Sequence, residues 1–156
     1  MTAVPKTHAH NIDLSDVHQQ ISSRLARLDQ RYTGGRRRLV DALVAAGRPL
    51  TLPDIVASAP DLAQSSAYRN LDVLEQSGVV RRISIGNDHA HFELAESLLG
   101  HHHHLICVEC STIEDIHLDD ELEAVVDASL AEVAREAGFT PLHHSLDLHG
   151  TCANCS

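Results

Sequence analysis

"QSSAYRNLDVLEQSGVVRRISIGNDHAHFEL", residues 64–94, changes its period at Gly78. Before that glycine, Ala67, Leu71 and Leu74 recur at helical spacing, so one face of a helix turns inward. Beyond it, VVRRISI and HAHFEL alternate in the manner of strands, and the GND between them supplies a tight turn. A helix running into a hairpin is the closing half of a winged helix-turn-helix. Such a unit lays its last helix in the major groove of DNA and its hairpin along the backbone.

The opening half lies upstream. Residues 1–14 form a polar lead-in, and His8, His10 and, just past it, His18 are expected to be solvated. A helix then starts on a Ser cap beside Asp16, with Val17, Ile21, Leu25 and Leu28 on its inner face. A second helix runs from near Gly35 through RRRLVDALVAA to Gly47, a residue suited to a left-handed C-terminal cap. Pro49 and Pro53 bracket a turn into a short helix, PDIVASA, before the helix that opens at Gln64. The outer face of that last helix offers Gln64, Ser65, Tyr68, Arg69 and Asn70 to base edges and phosphates. Arg36, Arg37, Arg38, Arg81 and Arg82 are expected to serve the phosphate backbone.

Charge is divided unevenly along the 156 residues, whose formal net charge is −10. Residues 1–86 hold 11 of the 12 Lys and Arg against 8 acids, whereas residues 87–156 hold a single Arg against 14 acids. Only the first half suits a nucleic acid. The second half holds 10 of the 13 His and all four Cys, which makes it a reservoir of metal ligands. No segment approaches the ~20 apolar residues of a membrane helix, and the polar start lacks a signal-peptide apolar region, so a soluble, cytoplasmic protein is expected.

In that second half, HHHHLICVEC and STIEDIHL alternate like two strands joined by a C-x-x-C turn. Asp119 caps a long amphipathic helix ended by Gly138, and FTPLHHSLDLHG forms a third strand leading to CANC. The expected fold is α+β, with a winged helix-turn-helix over residues 1–95 and a metal-binding dimerisation lobe over residues 96–156. An exposed strand edge and a Val/Ala/Leu helix face suit a homodimer. With no Trp, two Tyr and two Phe, the core is built from Leu, Val, Ile and Ala and gains from a staple.

Cys107-x-x-Cys110 and Cys152-x-x-Cys155 supply one. Reducing conditions disfavour disulfides, and a C-x-x-C turn presents both sulfurs to one ion, so four thiolates close a tetrahedral structural zinc site. The run His101 to His104 raises a second chemistry, since neighbouring side chains on a strand face opposite ways. His101 and His103 then serve one site, and His102 and His104 another. Their partners come from Glu93 or the hairpin imidazoles His89 and His91, from Asp115, from Glu123 and from His144. Mixed nitrogen and oxygen ligands bind Zn(II), Fe(II) or Mn(II) more reversibly than four thiolates do.

Taken together, QRYTGGRRRLVDAL, SSAYRNLDVLEQSGVV, HFEL, HHHHLICVEC, HHSLDLHGTC and CANC closely resemble the ferric uptake regulator (Fur) family of metal-dependent bacterial repressors, from about residue 28 onward. The resemblance implies a homodimer that binds double-stranded operator DNA when a hinge metal is loaded, and that controls metal-uptake genes. It implies structural zinc on the four cysteines, a regulatory site of Glu93, His102, His104 and Asp115, and a further site of His101, His103, Glu123 and His144. Tyr68 and Arg69 match the family's recognition-helix pair. Four departures stand out: Ser66-Ala67 replaces Thr-Val, Ser111 replaces a glycine, the stretch after FEL is slightly longer, and GRPLT lacks the usual histidine. His89 or His91 is positioned to replace that histidine.

Two rival readings exist. His91-Phe92-Glu93 with the first C-x-x-C spells part of a zinc deaminase signature, but Ile106 stands in place of its proline. A metal-storage module would explain the second half and leave the arginines idle. Neither accounts for the whole chain, so no enzyme activity and no small organic substrate are expected.

Overall fold

The computed structural model describes residues 13–85 and 90–156 and divides into two compact units, one through His101 and the other from His102 onward. The first unit contains α1 (Leu14–Arg27), α2 (Gly34–Ala46), β1 (Leu50–Thr51), α3 (Leu52–Ser58), α4 (Gln64–Gln76), β2 (Val80–Ile83), β3 (His91–Leu94) and α5 (Glu96–Leu99). Local chemistry sets the helix ends. Asp13, rather than a serine, caps α1, its carboxylate accepting from the Ser15 N–H at 2.9 Å. Thr33 caps α2, and Thr51 forms a capping box with Asp54 on α3. The Thr51 hydroxyl in that box holds the Asp54 carboxyl below its ordinary value. Gly47 ends α2 at φ 58°, a left-handed conformation that costs a side-chain-bearing residue about 1–2 kcal/mol.

Val17, Ile21 and Leu25 of α1 pack with Leu39, Val40 and Leu43 of α2, Ile55 of α3, Ala67, Leu71 and Leu74 of α4, and Phe92 and Leu94 of β3. Leu28, expected on the inner face of α1, lies past its last turn and is 52% exposed. The sheet is three-stranded in the order β1-β3-β2, with Leu50 opposite Phe92 and Thr51 opposite His91. A strand of two residues is too short to show a period, so the sequence suggested a hairpin alone. The GND turn and His89, like His8 and His10, lie outside the described residues.

His18 departs most from expectation. It is buried in α1, its Nδ1 2.6 Å from the Tyr32 hydroxyl and its Nε2 3.0 Å from Asp41 on α2. Burial pushes the Tyr32 hydroxyl up to about 12 from 10, against the pull of Arg37. The folded chain therefore keeps this proton where the unfolded chain loses it, and stability contributed by Tyr32 is lost as pH rises from 10 to about 12. An ultraviolet tyrosinate titration should show one late step near pH 12 that Tyr32→Phe abolishes.

The second unit contains β4 (His103–Cys107), β5 (Ile113–Ile116), α6 (Asp120–Glu136) and β6 (Asp147–Gly150). Asp119 caps α6 by accepting from the Leu122 N–H at 2.8 Å. The strand order is β5-β4-β6, antiparallel on one side of β4 and parallel on the other. The strands are shorter than the alternation suggested: His101 and His102 precede β4, and residues 139–146 precede β6. Buried apolar side chains here are Ile106, Cys107 and Ile113, joined by the imidazoles of His102, His103 and His104. No residue of α6 is buried, and Leu122, Val125, Leu130 and Val133 are all exposed. Among the described residues, no helix is long and apolar enough to cross a membrane.

Candidate metal centres

β4 delivers Cys107 at its end, a turn returns Cys110, and the chain beyond β6 brings Cys152 and Cys155 to the same place. All four are free thiols with sulfurs within 4.8 Å of one another. Cys110 and Cys152 sulfurs are 3.7 Å apart, and a tetrahedron with ~2.3 Å metal–sulfur arms has edges of about 3.8 Å. The backbone N–H of Cys152 donates to the Cys107 sulfur at 3.3 Å, and with help from the Cys110 N–H brings that thiol down to about 6. Cys155 is pushed up to about 12 by the sulfurs around it, Cys110 foremost. Cys110 is also lowered, chiefly by its hydrogen bond with the Thr112 side chain, and two stabilised thiolates among crowded sulfurs are a donor set that a divalent cation completes, with a chemistry that fits zinc.

The turn between Cys110 and β5 contains Ser111 at φ 58°, in the left-handed region that favours glycine. Ser111→Gly should raise the stability of the zinc form by about 0.5–1 kcal/mol, measured by thermal melting.

Two further clusters lie within the second unit. His103 Nε2 is 3.1 Å from Glu123 Oε2, His144 Nε2 is 3.0 Å from Glu123 Oε1, and the two imidazoles stack with centroids 5.2 Å apart. His144 Nδ1 is also 2.9 Å from Asp127. The other cluster holds His102, His104 and Asp115, each offering a donor atom within 4.8 Å of the others. Its two imidazoles meet edge-on at 5.2 Å, and the His117 ring lies 6.1 Å from that of His102. The pleat thus separates His103 from His102 and His104, as alternation requires. In the first unit, Glu93 is buried on β3 and accepts from Arg81 Nε at 2.7 Å, His91 is buried beside it on the same strand, and His101 pairs with Glu96 of α5.

On α4, Gln64, Ser65, Tyr68 and Arg69 line a shallow hollow with Leu52, and Tyr68 is 55% exposed. The N-cap of this helix is Ala63, which gives its first turn no side-chain cap. Asn70 is half-buried with its Nδ2 against Gly35, 3.1 Å from where a Cβ would stand. Among the arginines, Arg36 is held by Gln30 and by the Arg31 carbonyl, Arg81 by Glu93 and Arg82 by Glu75, while Arg37, Arg38 and Arg69 are exposed.

The family model described as "Ferric uptake regulator family" matches residues 27–149. The chain belongs to the ferric uptake regulator family. This Fur-family chain is 34% identical to a ferric uptake regulation protein of Synechococcus elongatus over 94 residues, a match covering 60% of each chain. It is 30% identical to the peroxide operon regulator of Bacillus subtilis over 132 residues, covering 81% of this chain and 84% of that one. Among solved structures, the Helicobacter pylori ferric uptake regulator, whose report describes three functional metal-binding sites, overlays with a TM-score of 0.70 at 21% identity. That overlay covers 90% of this chain and 92% of the other. A Pseudomonas aeruginosa regulator solved with manganese gives 0.64 at 26% identity, covering 84% of this chain and 96% of its own.

The Fur-family chain is thus a metal-responsive regulator and not an enzyme. The deaminase reading also fails on geometry, because Cys152 and Cys155 share one cluster with Cys107 and Cys110 and leave no open position for a water. Sequence reading missed three participants: Asp147 beside His104, Asp127 beside His144, and Asp41 beside His18. A signal existed only for Asp127, which stands four residues after Glu123 and so on the same helical face.

Proposed function

We propose that this regulator is a homodimeric, cytoplasmic repressor that binds double-stranded operator DNA when a divalent metal fills its regulatory site, and that it controls metal-uptake and metal-homeostasis genes. One observation carries the reading: a single strand, β4, ends in an all-sulfur centre and presents imidazoles to two nitrogen–oxygen clusters. Four sulfurs close a coordination sphere, whereas clusters of imidazole and carboxylate exchange their metal. The relatives' names, ferric uptake regulation protein and peroxide operon regulator, favour the same assignment.

Zinc is held by Cys107, Cys110, Cys152 and Cys155. His102, His104 and Asp115 form the regulatory site with Glu93, and His91 or His89 supplies the imidazole that GRPLT lacks. His101 joins His103, Glu123 and His144 at the further site. Gln64, Ser65, Tyr68, Arg69 and Asn70 read the operator with phosphate contacts from Arg36 and Arg37, and the exposed face of α6 pairs two copies. With Glu93 from the winged helix and His102 and His104 from the dimerisation lobe on one ion, the two recognition helices are fixed for the half-sites of one operator. Metal and DNA affinity are then coupled reciprocally.

The test is DNA binding by the four-cysteine zinc form against a duplex library at fixed salt, with Zn(II), Fe(II) and Mn(II) supplied at buffered free concentrations. One of these should tighten selected duplexes by about 10- to 100-fold. Binding that ignores all three would end the metal-activated reading and leave a metal-storage role.

A further inference from the structure

β6 pairs in parallel with β4 so that Asp147 stands opposite His104, and its Oδ1 lies 2.9 Å from His104 Nδ1. His104 is almost wholly buried, while Asp147 is partly exposed at the edge of the sheet. The other ring nitrogen, Nε2, is the one directed to Asp115, at 4.0 Å. A carboxylate only accepts hydrogen bonds, so the proton of a neutral His104 resides on Nδ1, and Nε2 keeps the lone pair that a metal needs.

From this contact we propose that Asp147 is a positioning residue that selects the tautomer of His104 and aims its Nε2 into the regulatory site. The proposal rests on the assignment of His104 as a metal ligand. The same strand connects that role to the sulfur centre. Beyond Asp147, the Gly150 carbonyl accepts from the Val108 N–H at 2.8 Å, and the Cys152 N–H donates to Cys107 Sγ at 3.3 Å. The four-cysteine centre therefore anchors the strand that holds Asp147 against His104. Carboxylate partners of metal-binding histidines contribute about 10- to 100-fold to metal affinity. Asp127 stands in the same relation to His144, 2.9 Å from its Nδ1, and gives an internal control.

The experiment uses the full ¹⁵N-labelled chain with its four-cysteine zinc in place and its zinc content checked in every variant. Imidazole ¹⁵N spectra report the tautomer of His104 before the second metal is added, and buffered Zn(II) then gives the affinity of the site to which the His104 signals respond. Asp147→Ala should mix the tautomers and weaken that site by about 10- to 100-fold. Asp147→Asn keeps an acceptor oxygen, so it should retain the parent tautomer with a smaller loss, and it also guards against an alanine variant that fails to fold. Asp127→Ala should leave the His104 signals unchanged. Parent-like tautomer and affinity in Asp147→Ala, with His104→Ala weakened, would overturn the role of Asp147 alone. Parent-like affinity in His104→Ala would remove His104 from the ligands and overturn both the regulatory site and this proposal.

Discussion

Replacing Cys110 or Cys152 by serine should unfold the second unit while the first stays folded. The reason is the imbalance between sulfur and apolar burial. Ile106, Cys107 and Ile113 are the buried apolar residues of that unit, and α6 contributes none. Each fully buried aliphatic side chain is worth about 1.5–3 kcal/mol, whereas structural zinc in small metal-dependent domains supplies about 10–16 kcal/mol. Losing one ligand forfeits most of that, and the few apolar contacts within one chain cannot replace it in ordering three strands and a helix. The first unit has its own core running from Val17 to Leu98 and does not depend on the metal. Zinc content, far-UV circular dichroism and limited proteolysis would show the effect, and a second unit that keeps its parent circular dichroism and protease resistance in a zinc-free variant would refute it. A strong chelator applied to the unmodified chain should reproduce the serine variants.

Leu130→Glu should dissociate the proposed dimer. Leu122, Val125, Leu130 and Val133 recur along α6 and lie 47, 59, 43 and 63% exposed, an apolar face that a second copy of this chain would cover. Two-fold symmetry places each substitution in the interface twice, and burying an unpaired carboxylate costs several kcal/mol, so the dissociation constant should rise at least about a thousandfold. Sedimentation equilibrium would find the 17.0 kDa monomer at concentrations where the parent is paired. The variant should keep its structural zinc, because the four cysteines all come from one chain. It should also lose affinity for a two-half-site operator, because each winged helix then binds alone.

The fold was legible where one residue's neighbours in sequence are also its neighbours in space. The faces of α1, Leu28 apart, and of α4 followed from apolar spacing, and Gly47 and Asp119 marked helix ends by their own conformational and hydrogen-bonding preferences. The four cysteines were legible because two C-x-x-C turns already form two halves of one coordination sphere. His18 was misread because Tyr32 and Asp41, which bury it, are fixed by packing between helices and leave no local trace. β1 was missed for a similar reason, since its two residues become a strand only by pairing with β3. The partners of Arg36, Arg81 and Arg82 within the chain, Gln30, Glu93 and Glu75, were not legible because they emerge only in three dimensions.

Four identical side chains in a row, His101 to His104, contain no information about their own alignment. Sliding an ordinary strand by one position puts its apolar set in water, which is a strong penalty against error. Sliding this tract replaces one imidazole with another, so the penalty falls on the residues downstream of it: Leu105, Ile106 and, above all, Cys107. Once the sulfur centre has captured Cys107, every imidazole upstream acquires a definite side of the sheet and a definite carboxylate. Cys107, which the proposed regulatory site does not use, thereby fixes the register of a tract that carries none of its own.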